Sequence, residues 1–255
     1  NREQSLAQTR DVMLAARQHG FKSISVDLIY GLPKQSLEGF SETLMAVAAL
    51  RPDRVAIYGY AHLPALFKPQ NKIREEDLPK NADKLALLHL AIWLLQRRGY
   101  EYLGMDRFAL PSDTLESARR AGTLHRNFQG YSTQPDCDLI GLGVSAIGRV
   151  GATYSQNAKS LEEYYDHLDQ GRLPVVRGLA LNRDDLVRRA VIMALMCQGE
   201  LQFEPIDQAW LIDSRKYFAP ELEQLETMAE QGLVVLNSES IKVTAMGWFF
   251  VRGIA

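Results

Sequence analysis

Two stretches, SISVDLIYG (residues 23–31) and RVAIYGYA (54–61), decide the fold class of this chain. Both are apolar and rich in β-branched and aromatic residues, which predicts strands. Between them, SLEGFSETLMAVAAL (36–50) has the apolar spacing of a helix, with Ser36 as a candidate N-cap. This strand–helix–strand order favours parallel pairing in an α/β layer or barrel. Neither strand alternates cleanly, and such strands are usually covered on both faces.

The rest of the chain divides by its patterning. Further helices are predicted on both sides of the two strands, and the middle of the chain is rich in loops with Gly, Asn, Ser and Gln. Beyond residue 183 the chain is mostly helical and ends in two short strands around a turn, the outline of a winged-helix-like domain. We therefore predict three segments: 1–110, 111–182 and 183–255.

Composition narrows the classes of partner. Lys and Arg total 29 against 31 Asp and Glu, so the net charge of −2 gives no electrostatic reason to expect nucleic acid or an anionic membrane. No apolar run is long enough to span a bilayer. Two cysteines, Cys137 and Cys197, are too few for a disulfide framework or an all-cysteine metal site. They fit a reducing compartment, which predicts a cytoplasmic protein with no metal site on this chain.

Asp27 is the first candidate functional residue, because it is a carboxylate within an otherwise apolar strand. On a strand, its side chain shares a face with Ser25 and Ile29. An acid near the C-terminal end of a parallel strand lies where α/β folds place ligand contacts. A structural salt bridge or a capping contact explains the same residue equally well, and both interpretations stay open.

Three other segments combine chemistry-bearing residues. IYGYAHLP (57–64) places Tyr and His62 on one face and small residues on the other, which suits either a flat ligand or plain packing. HRNFQGYSTQ (125–134) offers a cation, amides and aromatics to a polar ligand, or is a surface turn. DLIGLGVSAIG (138–148) has the spacing GxGxxxxG, which excludes a dinucleotide fingerprint but leaves a glycine-rich backbone near some ligand possible.

Taken together, the motifs resemble those of a known enzyme family. The chain is similar over its full length to the oxygen-independent coproporphyrinogen III oxidases, which are radical S-adenosylmethionine enzymes of haem biosynthesis. The motifs that carry the resemblance occur in this order: VDLIYGLPKQS (26–36), IYGYAHLP (57–64), GMDRFALP (104–111), LHRNFQGYSTQ (124–134) and GLGVSAIG (141–148). The resemblance implies a partial (β/α)6 barrel followed by a mainly helical C-terminal domain. It makes 23–31 and 54–61 the last two barrel strands, and we expect the chain to start after the fourth.

The resemblance also implies the chemistry. Family members use two S-adenosylmethionine molecules and a 4Fe-4S cluster to convert two propionates of coproporphyrinogen III into vinyl groups, which gives protoporphyrinogen IX. The cluster motif CxxxCxxC is expected upstream of this chain, and neither Cys137 nor Cys197 replaces it. We therefore expect the chain to need its N-terminal part, a porphyrinogen substrate and an electron donor, and to be inactive alone.

Candidate contacts for S-adenosylmethionine follow from the same resemblance. They are Arg2, Asp27, Ala61 and Ile147, with Gln129 as a neighbour of the second molecule. An arginine can hold a carboxylate in a bidentate way, whereas Ala61 and Ile147 offer only backbone groups for hydrogen bonds. Three arginines are candidates for pairing with substrate propionates because of their charge and their location in loops: Arg107, Arg126 and Arg177. The alternative is that each is a solvated surface residue.

Two other functions compete with this interpretation. The first is a haem-binding chaperone of the same superfamily, against which the loop HRNFQGYSTQ (125–134) argues. The second is a winged-helix module that binds nucleic acid, against which the nearly neutral charge argues.

Overall fold

The computed structural model describes residues 4–134 and 136–255. The chain divides into two compact units, Asn1–Arg120 and Ala121–Ala255. The helices and strands of the first unit are α1 (Leu6–Gln18), β1 (Ser25–Tyr30), α2 (Leu37–Leu50), β2 (Arg54–Gly59), α3 (Asn81–Arg97), β3 (Glu101–Gly104), β4 (Arg107–Ala109) and α4 (Thr114–Arg120). Two short 3₁₀ helices, Lys68–Lys72 and Glu75–Asp77, lie between β2 and α3. None of the helices in the described part of the chain has the length and apolarity needed to cross a bilayer.

The sheet of the first unit has the strand order β1-β2-β4-β3. β1 and β2 pair in parallel, which confirms the prediction from the two strand sequences. β4 runs antiparallel to both β2 and β3. The far half of the sheet is therefore a hairpin rather than another crossover, because only a few residues join β3 to β4.

The core of this unit lies on one face of the sheet. Phe40 and Leu44 of α2 and Leu87 and Leu95 of α3 are buried in one cluster with Ile57 of β2. The Ser36 hydroxyl accepts a hydrogen bond from the Gly39 amide at 3.1 Å and starts α2 as predicted.

Side chains of β1 alternate between partly buried and exposed, so the strand is covered on one face and not on both as predicted. Val26, Leu28 and Tyr30 pack against the core cluster, while the burial pattern makes every second residue, starting at Ser25, exposed. The face that carries Asp27 is therefore open in this chain.

A buried carboxylate anchors the base of the sheet. Asp113 accepts hydrogen bonds from Arg54 Nε at 3.0 Å, from the Ser23 hydroxyl at 2.9 Å and from the Leu115 amide at 2.8 Å. The Asp113 side chain is only 2% exposed, so these charge-assisted contacts offset the cost of burying it. They tie β2 to the start of α4.

In the described residues, the second unit contains three small sheets and several helices. Its elements are β5 (His125–Asn127), β6 (Gly130–Ser132), β7 (Ile147–Val150), β8 (Thr153–Asn157), α5 (Leu161–Asp169), β9 (Val175–Ala180), α6 (Arg183–Gln198), β10 (Glu200–Gln202), α7 (Phe203–Trp210), α8 (Ser214–Tyr217), α9 (Ala219–Glu230), β11 (Val234–Leu236), β12 (Ser240–Val243) and α10 (Val251–Ile254), with a 3₁₀ helix at Gly247–Phe250.

All strand pairs of the second unit are antiparallel within the described residues. β5 and β6 form a hairpin, β7-β8-β9 form a second sheet, and β10-β12-β11 form a third. The predicted helices and the two predicted strands around a turn are confirmed as α6, α9, β11 and β12. The sequence did not indicate β10, which adds a third strand beside β12.

Candidate functional site

The open face of the first unit's sheet brings Asp27 and Arg107 together. Asp27 pairs in register with Ala56, and Ala56 pairs in turn with Arg107, so the three residues form one row across β1, β2 and β4. The side chain of Ala56 is too short to separate its two neighbours. Arg107 Nη1 therefore lies 4.0 Å from Asp27 Oδ1.

The next row supplies an aromatic support for this arginine. Ile29 pairs with Tyr58, and the Arg107 guanidinium carbon lies 4.9 Å from the centre of the Tyr58 ring. Such a cation–π contact fixes the guanidinium without using its N–H donors. The side chain of Asp27 is 63% exposed, so its oxygens remain accessible to the hydroxyl groups of a ligand.

The segment after β2 has internal partners for most of its polar groups. The Tyr60 hydroxyl lies 3.3 Å from His62 Nδ1, which makes His62 a hydrogen-bonded residue rather than an isolated base. The Ala61 carbonyl accepts a hydrogen bond from Gln70 Nε2 at 3.1 Å, and Gln70 Oε1 accepts one from the Leu63 amide at 2.6 Å. Gln70 thus fixes the backbone at Ala61, whose carbonyl keeps a second lone pair.

The turn between β3 and β4 holds a carboxyl group that the sequence analysis missed. Met105 and Asp106 have φ values of 49° and 60°, a region that side chains other than Gly, Asn and Asp seldom adopt. The Asp106 carbonyl accepts a hydrogen bond from the Ile57 amide at 2.9 Å, which ties the turn to β2. Burial raises the pKa of the Asp106 carboxyl group, against the opposing effect of Arg107. The two residues of this turn, Met105 and Asp106, carried no sequence signal for this burial.

HRNFQGYSTQ folds as a hairpin rather than as an irregular loop. His125 pairs with Ser132 and Asn127 with Gly130, which leaves Phe128 and Gln129 at the tip. The Gln129 amide donates to Asn127 Oδ1 at 2.9 Å. Phe128 and Gln129 are both exposed, so the tip presents an aromatic ring and an amide side chain.

In the glycine-rich segment 138–148, the backbone before Gly143 packs closely against the backbone at Ile147 and Gly148. A Cβ at Gly141 would lie 2.8 Å from the carbonyl group of Ile147, and one at Gly148 would lie 3.1 Å from the Leu139 carbonyl oxygen. Leu139 and Arg149 bond to each other through their backbone groups at 2.6 and 2.7 Å. The glycines of DLIGLGVSAIG therefore have a packing role, and Ile147 is held on β7 beside them.

A cavity of about 910 Å³ lies in the second unit. Residues of β5, of the segment 136–139 and of α6 line it. On one wall, Asp136 accepts hydrogen bonds from Arg189 at 2.6 and 2.9 Å and contacts Arg149 at 2.5 Å. These hydrogen bonds, those from Arg189 above all, lower the pKa of Asp136 to about 2. The carboxylate therefore stays ionised and fastens the segment 136–139 to α6.

The structure separates the predicted cofactor contacts by unit. Asp27 and Ala61 lie in the first unit, on β1 and just after β2. Gln129 and Ile147 lie in the second, at the tip of the β5–β6 hairpin and at the start of β7. Arg2 lies outside the described residues.

Comparison with known proteins identifies the family. The chain is 41% identical over its whole length to the oxygen-independent coproporphyrinogen III oxidase of Thermostichus vulcanus, and it covers 78% of that protein. The chain belongs to the oxygen-independent coproporphyrinogen III oxidase family. A family model for the HemN C-terminal domain also matches residues 181–250.

Other members of the oxygen-independent coproporphyrinogen III oxidase family are longer. The chain is 49% identical to the Pseudomonas aeruginosa protein, of which it covers 55%, and 47% identical to the Escherichia coli protein, of which it covers 56%. It thus spans about half the length of these curated relatives. The solved structure of Escherichia coli coproporphyrinogen III oxidase (HemN), described as a radical SAM enzyme, superposes on the whole chain with a TM-score of 0.97 at 47% identity; the chain covers 58% of it. The α/β architecture is therefore that of this family.

The described residues do not fit the iron–sulfur cluster that the resemblance implies. They contain no group of three or more His, Cys, Asp or Glu side chains placed to hold a metal ion. Cys137 is exposed and Cys197 is buried, and burial raises the pKa of the Cys197 thiol to about 11. A cluster needs several thiolates, which these two cysteines do not supply.

Proposed function

We propose that this chain is the C-terminal part of an anaerobic coproporphyrinogen III oxidase. The enzyme would oxidatively decarboxylate two propionates of coproporphyrinogen III to vinyl groups and release protoporphyrinogen IX. One observation carries the proposal: 41% identity over the whole chain to an oxygen-independent coproporphyrinogen III oxidase of which it covers 78%. A haem-biosynthesis role in the cytoplasm follows from that proposal.

The finer architecture is part of the same proposal. We take β1 and β2 as the fifth and sixth strands of a partial (β/α)6 barrel, which their parallel pairing supports. We take the sheet β10-β12-β11 with the helices around it as a winged-helix-like C-terminal part. The segments 1–110, 111–182 and 183–255 remain our proposed division by role.

Asp27 is the proposed contact for the ribose of a first S-adenosylmethionine. Its exposed carboxylate can accept hydrogen bonds from hydroxyl groups, and Arg107 lies 4.0 Å from it. Ala61 would contribute backbone groups beside it, held in place by Gln70. Arg2, which lies outside the described residues, is proposed for a carboxylate.

A second S-adenosylmethionine is proposed against Gln129, and Ile147 is a further proposed cofactor contact. The amide side chain of Gln129 is exposed at a hairpin tip, and the backbone of Ile147 is fixed by its strand pairing with Gln156. When bound, S-adenosylmethionine supplies the radical that removes a hydrogen atom from a propionate. The residues named here would bind and orient the cofactor, because a displaced reactant loses much of the rate that correct placement provides.

The test is anaerobic turnover by the full-length protein that contains this chain. The protein is reconstituted with iron and sulfide and supplied with S-adenosylmethionine, a reductant and coproporphyrinogen III. We expect protoporphyrinogen IX, which is measured by chromatography after its oxidation to the porphyrin, and two molecules of carbon dioxide released for each. Neither product should form without S-adenosylmethionine. Tight haem binding without decarboxylation would contradict the proposal and favour the haem-chaperone alternative.

A further inference from the structure

The cavity of the second unit has the size and composition of a small-molecule site. Its volume of about 910 Å³ lies within the range of ordinary ligand pockets. Apolar side chains, among them Phe128, Leu139 and Ile192, form part of its wall. Polar groups converge from β5, where His125, Arg126 and Asn127 follow one another.

Four arginines line this cavity, and three of them already have carboxylate partners. Arg149 and Arg189 share Asp136, at 2.5 and 2.6 Å. Arg188 contacts Asp184 at 2.8 Å and Glu221 at 2.6 Å. These guanidinium groups hold the walls of the cavity together. Arg126, the fourth, has no acidic partner among the described residues.

The surroundings of Arg126 leave its charge uncompensated. Its Nη1 is shielded from solvent and has no hydrogen-bond acceptor within the described part of the chain. The guanidinium carbon lies 4.9 Å from the centre of the Tyr131 ring, and the Tyr131 hydroxyl is fixed by a 2.8 Å hydrogen bond to the Met196 carbonyl. The nearby Cys197 thiol stays protonated because burial raises its pKa to about 11.

Arg126 lines the cavity without a carboxylate of its own among the described residues, so a bound carboxylate would be the first ionic partner of its guanidinium. The aromatic platform keeps the guanidinium in one place, so an incoming carboxylate meets a group that is already oriented. Arginine suits a carboxylate especially well because its planar fork binds both oxygens.

We propose that this cavity binds a propionate of the porphyrinogen substrate, with Arg126 as the partner of the carboxylate and the apolar wall beside the macrocycle. The inference rests on the proposed function, because that function supplies a substrate with four propionates. Arg126 would bind the carboxylate and take no part in hydrogen abstraction.

The experiment uses the full-length protein and its variants Arg126→Gln and Arg126→Lys. Arg172→Gln is the matched control, because Arg172 is an exposed arginine of the same unit that does not line the cavity. Binding of coproporphyrin III, a stable oxidised analogue of the substrate, is followed by its fluorescence, with coproporphyrin tetramethyl ester as the carboxylate-free probe. Turnover gives the KM for coproporphyrinogen III, and equilibrium dialysis gives the affinity for S-adenosylmethionine.

We expect Arg126→Gln to weaken coproporphyrin III binding at least about tenfold, with a higher KM and little change in kcat. Arg126→Lys should restore part of the affinity, and Arg172→Gln should behave as the wild type. The tetramethyl ester should bind the wild type and Arg126→Gln equally. Ile192→Trp, which fills the cavity from its half-exposed wall, should weaken binding with Arg126 intact.

The outcomes separate this inference from the proposed function. A wild-type protein that turns over coproporphyrinogen III, with Arg126→Gln and Ile192→Trp both binding coproporphyrin III normally, overturns the inference alone. Weaker affinity for S-adenosylmethionine with unchanged coproporphyrin binding also overturns it, since the carboxylate would then be that of the cofactor. A wild type that neither binds nor converts the substrate overturns both.

Discussion

Asp27 is tolerated on an apolar strand because its carboxylate is never taken out of water in this chain. Its side chain is 63% exposed, so little desolvation has to be offset. Arg107 lies at 4.0 Å, the outer limit of an ion pair, and such exposed pairs contribute about 0–1 kcal/mol. The contact therefore orients the carboxylate more than it stabilises the fold.

Replacing this carboxylate should affect the cofactor and not the fold. In the full-length protein we expect Asp27→Ala to weaken S-adenosylmethionine binding by about tenfold or more, roughly 1.4 kcal/mol. The free energy of unfolding should change by less than about 1 kcal/mol. Equilibrium dialysis and chemical denaturation measure the two quantities, and Asp11→Ala, at an exposed acid on α1, is the control. Lower stability with unchanged cofactor affinity would make Asp27 a structural residue.

Asp136 should make the stability of the second unit depend on pH at the acidic end. Hydrogen bonds from Arg189 and Arg149 lower the pKa of its carboxyl group from 3.8 to about 2 in the folded state. A depressed folded-state pKa contributes stability that is present above the unfolded-state pKa and is lost as the pH falls through the folded-state value. The contribution is therefore complete at neutral pH and disappears between about pH 4 and pH 2.

The measurement is the difference in unfolding free energy between the wild type and Asp136→Asn. We expect this difference to be largest near neutral pH and to shrink as the pH is lowered through the window given by the two pKa values. Because the Asp136 side chain is 50% exposed, solvent screening keeps the effect modest. A difference that stays constant with pH would show that the two arginines do not stabilise the ionised form.

Glycines set the limits of several elements, and Gly247 is the tightest case. A Cβ at this position would overlap the carbonyl oxygen of Leu233 and lie 3.0 Å from a Val243 methyl group. The 3₁₀ helix therefore packs directly on the backbone before β11. Gly253, six residues later on α10, has no atom within 4 Å of the corresponding position.

These two glycines provide a matched pair of substitutions. Gly247→Ala should destabilise the protein by about 2 kcal/mol or more, because the backbone has to shift to remove the overlap. Gly253→Ala should be neutral or stabilising by up to about 1 kcal/mol, since alanine is the better helix former. Thermal and urea unfolding of both variants tests the contrast. Equal effects would show that the 3₁₀ helix does not pack on the Leu233 backbone as closely as the structure describes.

Helices and strands with a strong apolar pattern could be predicted from the sequence. Strands that are exposed to solvent, or that depend only on pairing with a neighbouring strand, could not. β1, β2 and α2 follow from their sequences and the Ser36 cap. β9 is exposed at all six residues, so it carries no alternation that would indicate a strand. The β5–β6 hairpin, likewise, has no apolar face to reveal it.

The same distinction applies to the candidate site. A carboxylate inside the run SVDLIY indicates Asp27 directly. Its contact with Arg107 depends on the register of three strands and on the small side chain of Ala56 between them. A single sequence does not encode such pairing in any local pattern, so Arg107 was a candidate only by its charge and a predicted loop location. The loop location was wrong, because Arg107 begins β4.

Each of the two units carries residues that we propose as cofactor contacts of a radical S-adenosylmethionine enzyme. Asp27 and Ala61 in one unit and Gln129 and Ile147 in the other are proposed for cofactor binding, but the described residues group no ligands for a metal. Cys137 is exposed without a second cysteine placed with it, and the Cys197 side chain is buried. A 4Fe-4S cluster requires cysteine thiolates in a set, which these positions do not supply.

The chain of 255 residues expressed alone should therefore bind no iron–sulfur cluster. After anaerobic incubation with iron, sulfide and reductant, followed by gel filtration, we expect no charge-transfer absorbance and no iron retained above the level of Cys137→Ser. The full-length protein treated in the same way should retain a cluster, because the proposed function places the cysteine motif upstream. Iron and acid-labile sulfide bound by the chain, and lost in Cys137→Ser, would show that this exposed thiolate ligates a cluster and that the ligand set lies within these residues.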